Sequence, residues 1–138
     1  MQRRIPPRGV PSPARLRRWA EAALGGEAGE LTVRIVGSRE SRALNRRFRG
    51  KDKPTNVLSF PYGGPGVLGD LVICAPVVNR EAREQGKSPA AHWAHMVVHG
   101  VLHLRGFDHI RNAEARVMES RERAILARLS FPDPYLLS

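Results

Sequence analysis

The 138-residue chain predicts an α+β domain, a small mixed β-sheet packed with about five helices. Three observations carry this reading. Short runs rich in β-branched residues alternate with segments that carry helix caps and stops. The order is helix, strand, helix, strand, strand, and then helices only. The length allows one sizeable core, and a hydrophobic fraction of 41% with a charged fraction of 26% is ordinary for a globular protein. Residues 12–138 form the single domain. Residues 1–11 hold three prolines and little periodicity, and read as a loose N-terminal arm.

Each element has a local cause. Ser12-Pro13 supplies an N-cap and a first helical residue, and the helix runs through Trp19 to Leu24, where Gly25-Gly26 stops it. LTVRIV, 31–36, is a strand. Ser38 caps a second helix, with Leu44 and Phe48 inward and arginines outward. NVLSF, 56–60, is a strand broken by Pro61 and the glycine-rich loop to Gly66. LGDLVICA, 68–75, is a third strand, and the short loop makes these two antiparallel neighbours. Pro76 opens a short helix to Gln85, ended by Gly86. Ser88-Pro89 caps a longer helix through Leu104, apolar enough to be the central buried one, and Arg105-Gly106 ends it. Asn112 caps the last helix, 113–129, with Val117, Ile125, Leu126 and Leu129 as its apolar positions.

No apolar run approaches the roughly 20 residues of a membrane span. The N-terminus carries charge without an apolar stretch, unlike a secretory signal. The single cysteine, Cys74, excludes an internal disulfide framework and reads as a small buried apolar residue. The expectation is a cytoplasmic protein, with no membrane partner and a monomer favoured. The net charge is +10, from 23 basic residues of which only Lys51, Lys53 and Lys87 are lysine. Arginine suits a polyanion partner, but codon bias in a GC-rich genome explains arginine content equally well. Placement says more than the total. Between Arg39 and Lys53 seven basic residues face two acids, Glu40 and Asp52, which supplies half the net charge and marks a local phosphate-binding surface.

The chemistry concentrates in HMVVHGVLHLRGFDHI, 95–110. His99 and His103 lie four apart on a helix, so they share one face about one turn apart. Gly106 can turn the chain so that His109 folds back over that face. Three converging imidazoles form what a tetrahedral zinc needs, with the fourth position open to water. Nickel, copper or iron fit such a donor set as well. The offsets match the metzincin protease motif H-E-x-x-H-x-x-G-x-x-H, but position 100 is glycine where those proteases hold their general base. A hydrolase or protease on this geometry is therefore one rival reading, and an RNA-binding module with structural zinc is another.

HGVLHLRGFDH, 99–109, is similar to the H-G-x-L-H-L-x-G-Y-D-H signature of the YbeY family of bacterial rRNA-maturation endoribonucleases. RGKDKPTNVLSFP, 49–61, and LGDLVI, 68–73, resemble that family's other two signatures, so the likeness runs from about Leu31 to Tyr135. The resemblance implies a small α+β fold. It also implies three histidine ligands to one zinc (His99, His103 and His109) and an important arginine at Arg49. The implied activity is cleavage of single-stranded RNA, in maturation of the small-subunit ribosomal RNA 3′ end and in ribosome quality control. The implied partner is the ribosome or its small subunit. Two departures stand out. Phe107 replaces the family's tyrosine, and residues 1–10 make a poor match to its N-terminal strand.

Arg49 is then expected to bind the scissile phosphate, and Arg42, Arg46, Arg47, Lys51 and Lys53 to form the RNA-binding surface. His95, one turn before His99, either serves the site or is a core or surface histidine; His92 reads as surface. Asp108 either orients a histidine or bonds the turn backbone. Ser59 and Asp70 receive no catalytic role. Four Phe, two Tyr and two Trp do not make a broad base-stacking platform, which points to guidance by the ribosome.

Overall fold

A computed structural model of the chain describes residues 2–3, 9–26, 29–61, 67–107 and 112–136. In chain order the elements are β1 (Gln2–Arg3), α1 (Pro13–Leu24), β2 (Glu30–Val36), α2 (Ser38–Arg49), β3 (Val57–Pro61), β4 (Val67–Cys74), α3 (Ala75–Glu84), α4 (Pro89–Leu104) and α5 (Asn112–Arg128). The strands order as β1-β2-β4-β3. β2 pairs in parallel with both β1 and β4, setting Thr32 opposite Asp70 and Val36 opposite Cys74, while β3 pairs antiparallel with β4. This is the expected α+β class with a mixed sheet.

Alternation along the strands gives the sheet two apolar faces. Val33, Ile35, Leu71 and Ile73 face one way and join the main core with α1, α4 and α5. Val36, Leu58, Val72 and Cys74 face the other way, beneath Leu44 of α2. α4 is the central helix. Trp93, Val97, Val98, Val101 and Leu102 are all buried, each large aliphatic side chain contributing about 1.5–3 kcal/mol. Ser88 Oγ accepts the Ala91 N–H at its start. At its end the N–H groups of Gly106 and Phe107 return to His103 and Leu102, each at 3.0 Å. Gly106 has φ 97°, the left-handed residue this helix stop requires. Among the described residues no helix is long and apolar enough to cross a membrane.

Several expectations need correction. Gln2–Arg3, inside the stretch read as an arm, forms a two-residue strand on β2. Gly37, not Ser38, is the N-cap of α2. The inward face of α2 is polar: Ser41 bonds both backbone groups of Thr55, and Asn45 donates to the Lys53 carbonyl. These bonds hold the 51–55 loop, whose backbone has no strand partner. Phe48, expected inward, is 49% exposed, and so is Val117 at 53%. Pro61 lies within β3 rather than beyond it; β3 is an edge strand, where a missing N–H is tolerated.

Candidate active site

Spacings of three, four and four put His92, His95, His99 and His103 in one stripe along α4. Successive ring centroids are 6.2, 6.1 and 4.7 Å apart. Burial decreases along the stripe. His92 and His95 are buried, whereas His99 and His103 are half-buried and line a cleft of about 490 Å³. Asn56, Val57, Ser59 and Arg49 form its other side.

Glu122 of α5 lies behind the stripe with no exposed surface. It accepts His99 Nδ1 at 2.5 Å and His95 Nε2 at 3.2 Å, and the Tyr135 hydroxyl donates to it. Burial alone raises its pKa, but the bonds from His95, His99 and Tyr135 outweigh that and hold it at about 2. An ionised carboxylate only accepts, so His99 must carry a proton on Nδ1. In the neutral ring Nε2 is then the nitrogen with a lone pair for a metal. Burial, and then the bond to Glu122, push the Tyr135 hydroxyl pKa upward.

His95, left open between site and core, is buried and bonded to Glu122, and it does not line the histidine cleft. Its Nδ1 is buried without a hydrogen-bond partner. His92, expected at the surface, is 2% exposed and bonds Glu81, which also accepts Asn56 Nδ2. Burial lowers the His92 pKa, so its ring is the neutral form at pH 7. His109 and Asp108 lie outside the described residues.

The missing glutamate has a steric explanation. A β-carbon on Gly100 falls 2.6 Å from Leu71 Cδ2 and 3.2 Å from Val57 Cγ2. Position 100 is where α4 rests on the sheet, so a protease-type glutamate has no room there. Ser59 Oγ donates to the Gly100 carbonyl at 3.2 Å and ties β3 to α4 at the same point.

Arg49, at the C-terminal end of α2, stands at the cleft opposite the histidines. Its guanidinium donates to the Ser59 carbonyl at 3.1 Å and sits 5.7 Å from the Phe60 ring centroid. Among the described residues it has no carboxylate partner. Arg46, Arg47, Lys51 and Lys53 are exposed nearby. Arg42 is also exposed but holds Asp52 in a two-bond pair, at 2.7 and 2.9 Å, which keeps the Asp52 carboxyl below its ordinary range. The basic surface therefore has one member already neutralised.

Sequence reasoning missed Glu122 and Tyr135. The signal for Glu122 was present: it shares the helical stripe of Met118, Ile125 and Leu126, an apolar face where an acid needs a partner. His95, His99 and Glu122 each place one ligand atom within 4.8 Å of the others, so this group could hold a metal ion.

The family model for endoribonuclease YbeY matches residues 12–130. A Methylococcus capsulatus protein named endoribonuclease YbeY is 60% identical over 131 residues, covering 91% of this chain and 87% of that one. Proteins of the same name from Halorhodospira halophila and Alkalilimnicola ehrlichii are 58% and 59% identical, over 91% and 94% of this chain and 88% and 84% of theirs. The solution structure of a Thermotoga maritima protein superposes with a TM-score of 0.55 at 26% identity, covering 89% of this chain and 87% of that one. With its histidine stripe and arginine-flanked cleft, this chain belongs to the YbeY family of endoribonucleases.

Proposed function

We propose that this chain is a metal-dependent endoribonuclease that cuts single-stranded RNA in the cytoplasm. Its substrate is the 3′ end of small-subunit ribosomal RNA, and it also acts in ribosome quality control. One observation carries the reading: His99 and His103, one of them pinned from behind by a buried carboxylate, share a cleft with Arg49, a cation without a carboxylate partner among the described residues. The relatives' shared name and the net charge of +10 support an RNA substrate.

The donor set fits a zinc-like ion. Glu122 fixes the His99 tautomer, as carboxylates behind metal-binding histidines do. Two ligands of one tetrahedral zinc at ~2.0–2.1 Å lie about 3.3 Å apart. The 2.5 Å between His99 Nδ1 and Glu122 suits a hydrogen bond and is too short for two co-ligands. In this reading the ligands are His99, His103 and His109, the set the family resemblance implies, and Glu122 supports His99 from behind. When bound, the ion supplies Lewis acidity that activates water or polarises a phosphoryl oxygen.

The chain's own residues do the rest. Arg49 binds the scissile phosphate and stabilises charge developing on its oxygens. Its bond to the Ser59 carbonyl holds the guanidinium at the cleft. Glu122 keeps a proton on His99 Nδ1. Arg46, Arg47, Lys51 and Lys53 bind the flanking backbone by charge.

The test pairs metal analysis with single-turnover cleavage of single-stranded RNA and of casein, for wild type and His103→Ala. The expected result is one metal per chain, RNA cut and casein intact, with His103→Ala losing both metal and cleavage. Cleavage of casein alone, or full RNA cleavage by metal-free protein, overturns the reading.

A further inference from the structure

Phe48 has no evident structural use for its position. It ends a strongly basic helix, and half of it faces solvent at 49% exposure. Yet its ring is held in place. Phe60 of β3 meets it edge to face, with centroids 5.2 Å apart. A groove of about 560 Å³ opens beside the pair, lined as well by Thr32, Leu44 and Val72 and by the charged side chains Arg34 and Asp70. It lies on the face of the sheet under α2, whereas the histidine cleft faces α4.

Arginines flank both rings. Arg47 sits 5.2 Å from the Phe48 centroid, and Arg49 sits 5.7 Å from that of Phe60. Arg49 also lines the histidine cleft, so its guanidinium stands between that cleft and the Phe60 ring that borders the groove. An exposed aromatic ring braced by a second ring, beside arginines with no carboxylate partner among the described residues, matches how proteins grip single-stranded nucleic acid: charge on the phosphates, a ring face for the base.

We infer that Phe48, backed by Phe60, is a stacking subsite for one RNA base next to the phosphate held by Arg49. This deepens the endoribonuclease reading and rests on it. It is a single subsite, compatible with the scarcity of aromatic residues. The phosphate at Arg49 stays with the histidine cleft while the adjoining base turns away into the groove. Every base offers a ring face, so the subsite sets register along the strand rather than a strict sequence.

The experiment measures single-turnover cleavage of a short single-stranded RNA against concentration of the metal-loaded enzyme, which separates half-saturation from maximal rate. A set of oligonucleotides, each lacking one base, is compared with the intact strand. Stacking on an aromatic ring is worth enough to change affinity by roughly 10-fold. Wild type should show that loss for one abasic position next to the cut. Phe48→Ala should raise half-saturation by about the same factor and become indifferent to that position. Phe48→Tyr, which keeps a ring, should behave as wild type and shows that the alanine effect is not misfolding. If wild type cleaves but Phe48→Ala keeps the wild-type half-saturation or the wild-type abasic penalty, the inference is wrong and the endoribonuclease reading stands. The ring then covers something else, such as a second copy of the chain. If wild type does not cut single-stranded RNA, both fall.

Discussion

Replacing Glu122 by glutamine tests the support of the proposed metal centre at its root. The carboxylate receives three donors: His99 Nδ1 on one oxygen, and His95 Nε2 and the Tyr135 hydroxyl on the other. Glutamine offers one acceptor oxygen and an amide that can only donate. If the oxygen faces His99, the amide meets His95 and Tyr135, so both must reverse their roles. For His95 that moves its proton to Nδ1, which is buried and has no partner. The charge also has a worth of its own. A carboxyl lowered from 4.5 to about 2 contributes roughly 3 kcal/mol at 1.36 kcal/mol per pH unit. The folded-state pKa is depressed, so this stability is fully present above about pH 4.5 and is lost as pH falls toward 2. Urea unfolding of metal-free protein should therefore show Glu122→Gln less stable at pH 7 by about 2–4 kcal/mol, with a flatter acid limb than wild type. Competition against a chelator should show zinc bound 10- to 100-fold more weakly, roughly the usual effect of losing such a partner. Wild-type affinity in the variant refutes the supporting role. Complete loss of metal in Glu122→Ala, with a folded chain and His103→Ala still loaded, refutes the ligand assignment and favours His95, His99 and Glu122 as the site.

Three further outcomes follow from the geometry. Gly100→Ala drives a methyl into Leu71 and Val57 and should destabilise the protein by about 1–3 kcal/mol; an unchanged thermal midpoint contradicts the close approach of α4 to the sheet. Gly106→Ala meets no atom of the described residues within 4 Å, and its φ of 97° resists a side chain. A loss of roughly 1 kcal/mol or more, with weakened metal binding, is expected in calorimetry and chelator competition, and equal values for both proteins deny the turn its need for glycine. Replacing Arg46 and Arg47 together by alanine should reduce the salt dependence of RNA binding by about 0.7 for each phosphate no longer neutralised, whereas Arg42→Ala, already paired with Asp52, should change it less; equal slopes for wild type and the double variant make that surface irrelevant to RNA.

Much of the fold was legible because its boundaries have local causes. α4 runs from Pro89 to Leu104 as Ser88-Pro89 and Arg105-Gly106 indicate, since caps and stops act within a few residues. The antiparallel pairing of β3 and β4 follows from their short connection. Side-chain roles that depend on distant partners were harder to read. Phe48 reads as core by hydrophobicity, but Ser41 and Asn45 take the inward positions because the 51–55 backbone needs their hydrogen bonds. His92 looks superficial at the start of a helix and is buried because Glu81 of α3 reaches it. The pair His99 and His103 was evident from spacing alone, and the structure sets Arg49 across the cleft from it. Glu122 was not found because an acid in an arginine-rich helix looks solvated until its neighbours on the stripe are counted.

The close approach at Gly100 also bears on how such an enzyme can change over evolutionary time. Glycine and glutamate codons can differ by a single base, so the substitution that would complete a protease signature beside His99 is within easy mutational reach. It is closed by the sheet rather than by the genetic code. A glutamate there needs Leu71 and Val57 to shrink or give way, or α4 to lift off the sheet together with the histidines it carries. The path from this scaffold to that protease signature thus needs compensating changes in the sheet beneath α4, which keeps the two chemistries apart despite their shared spacing of histidines.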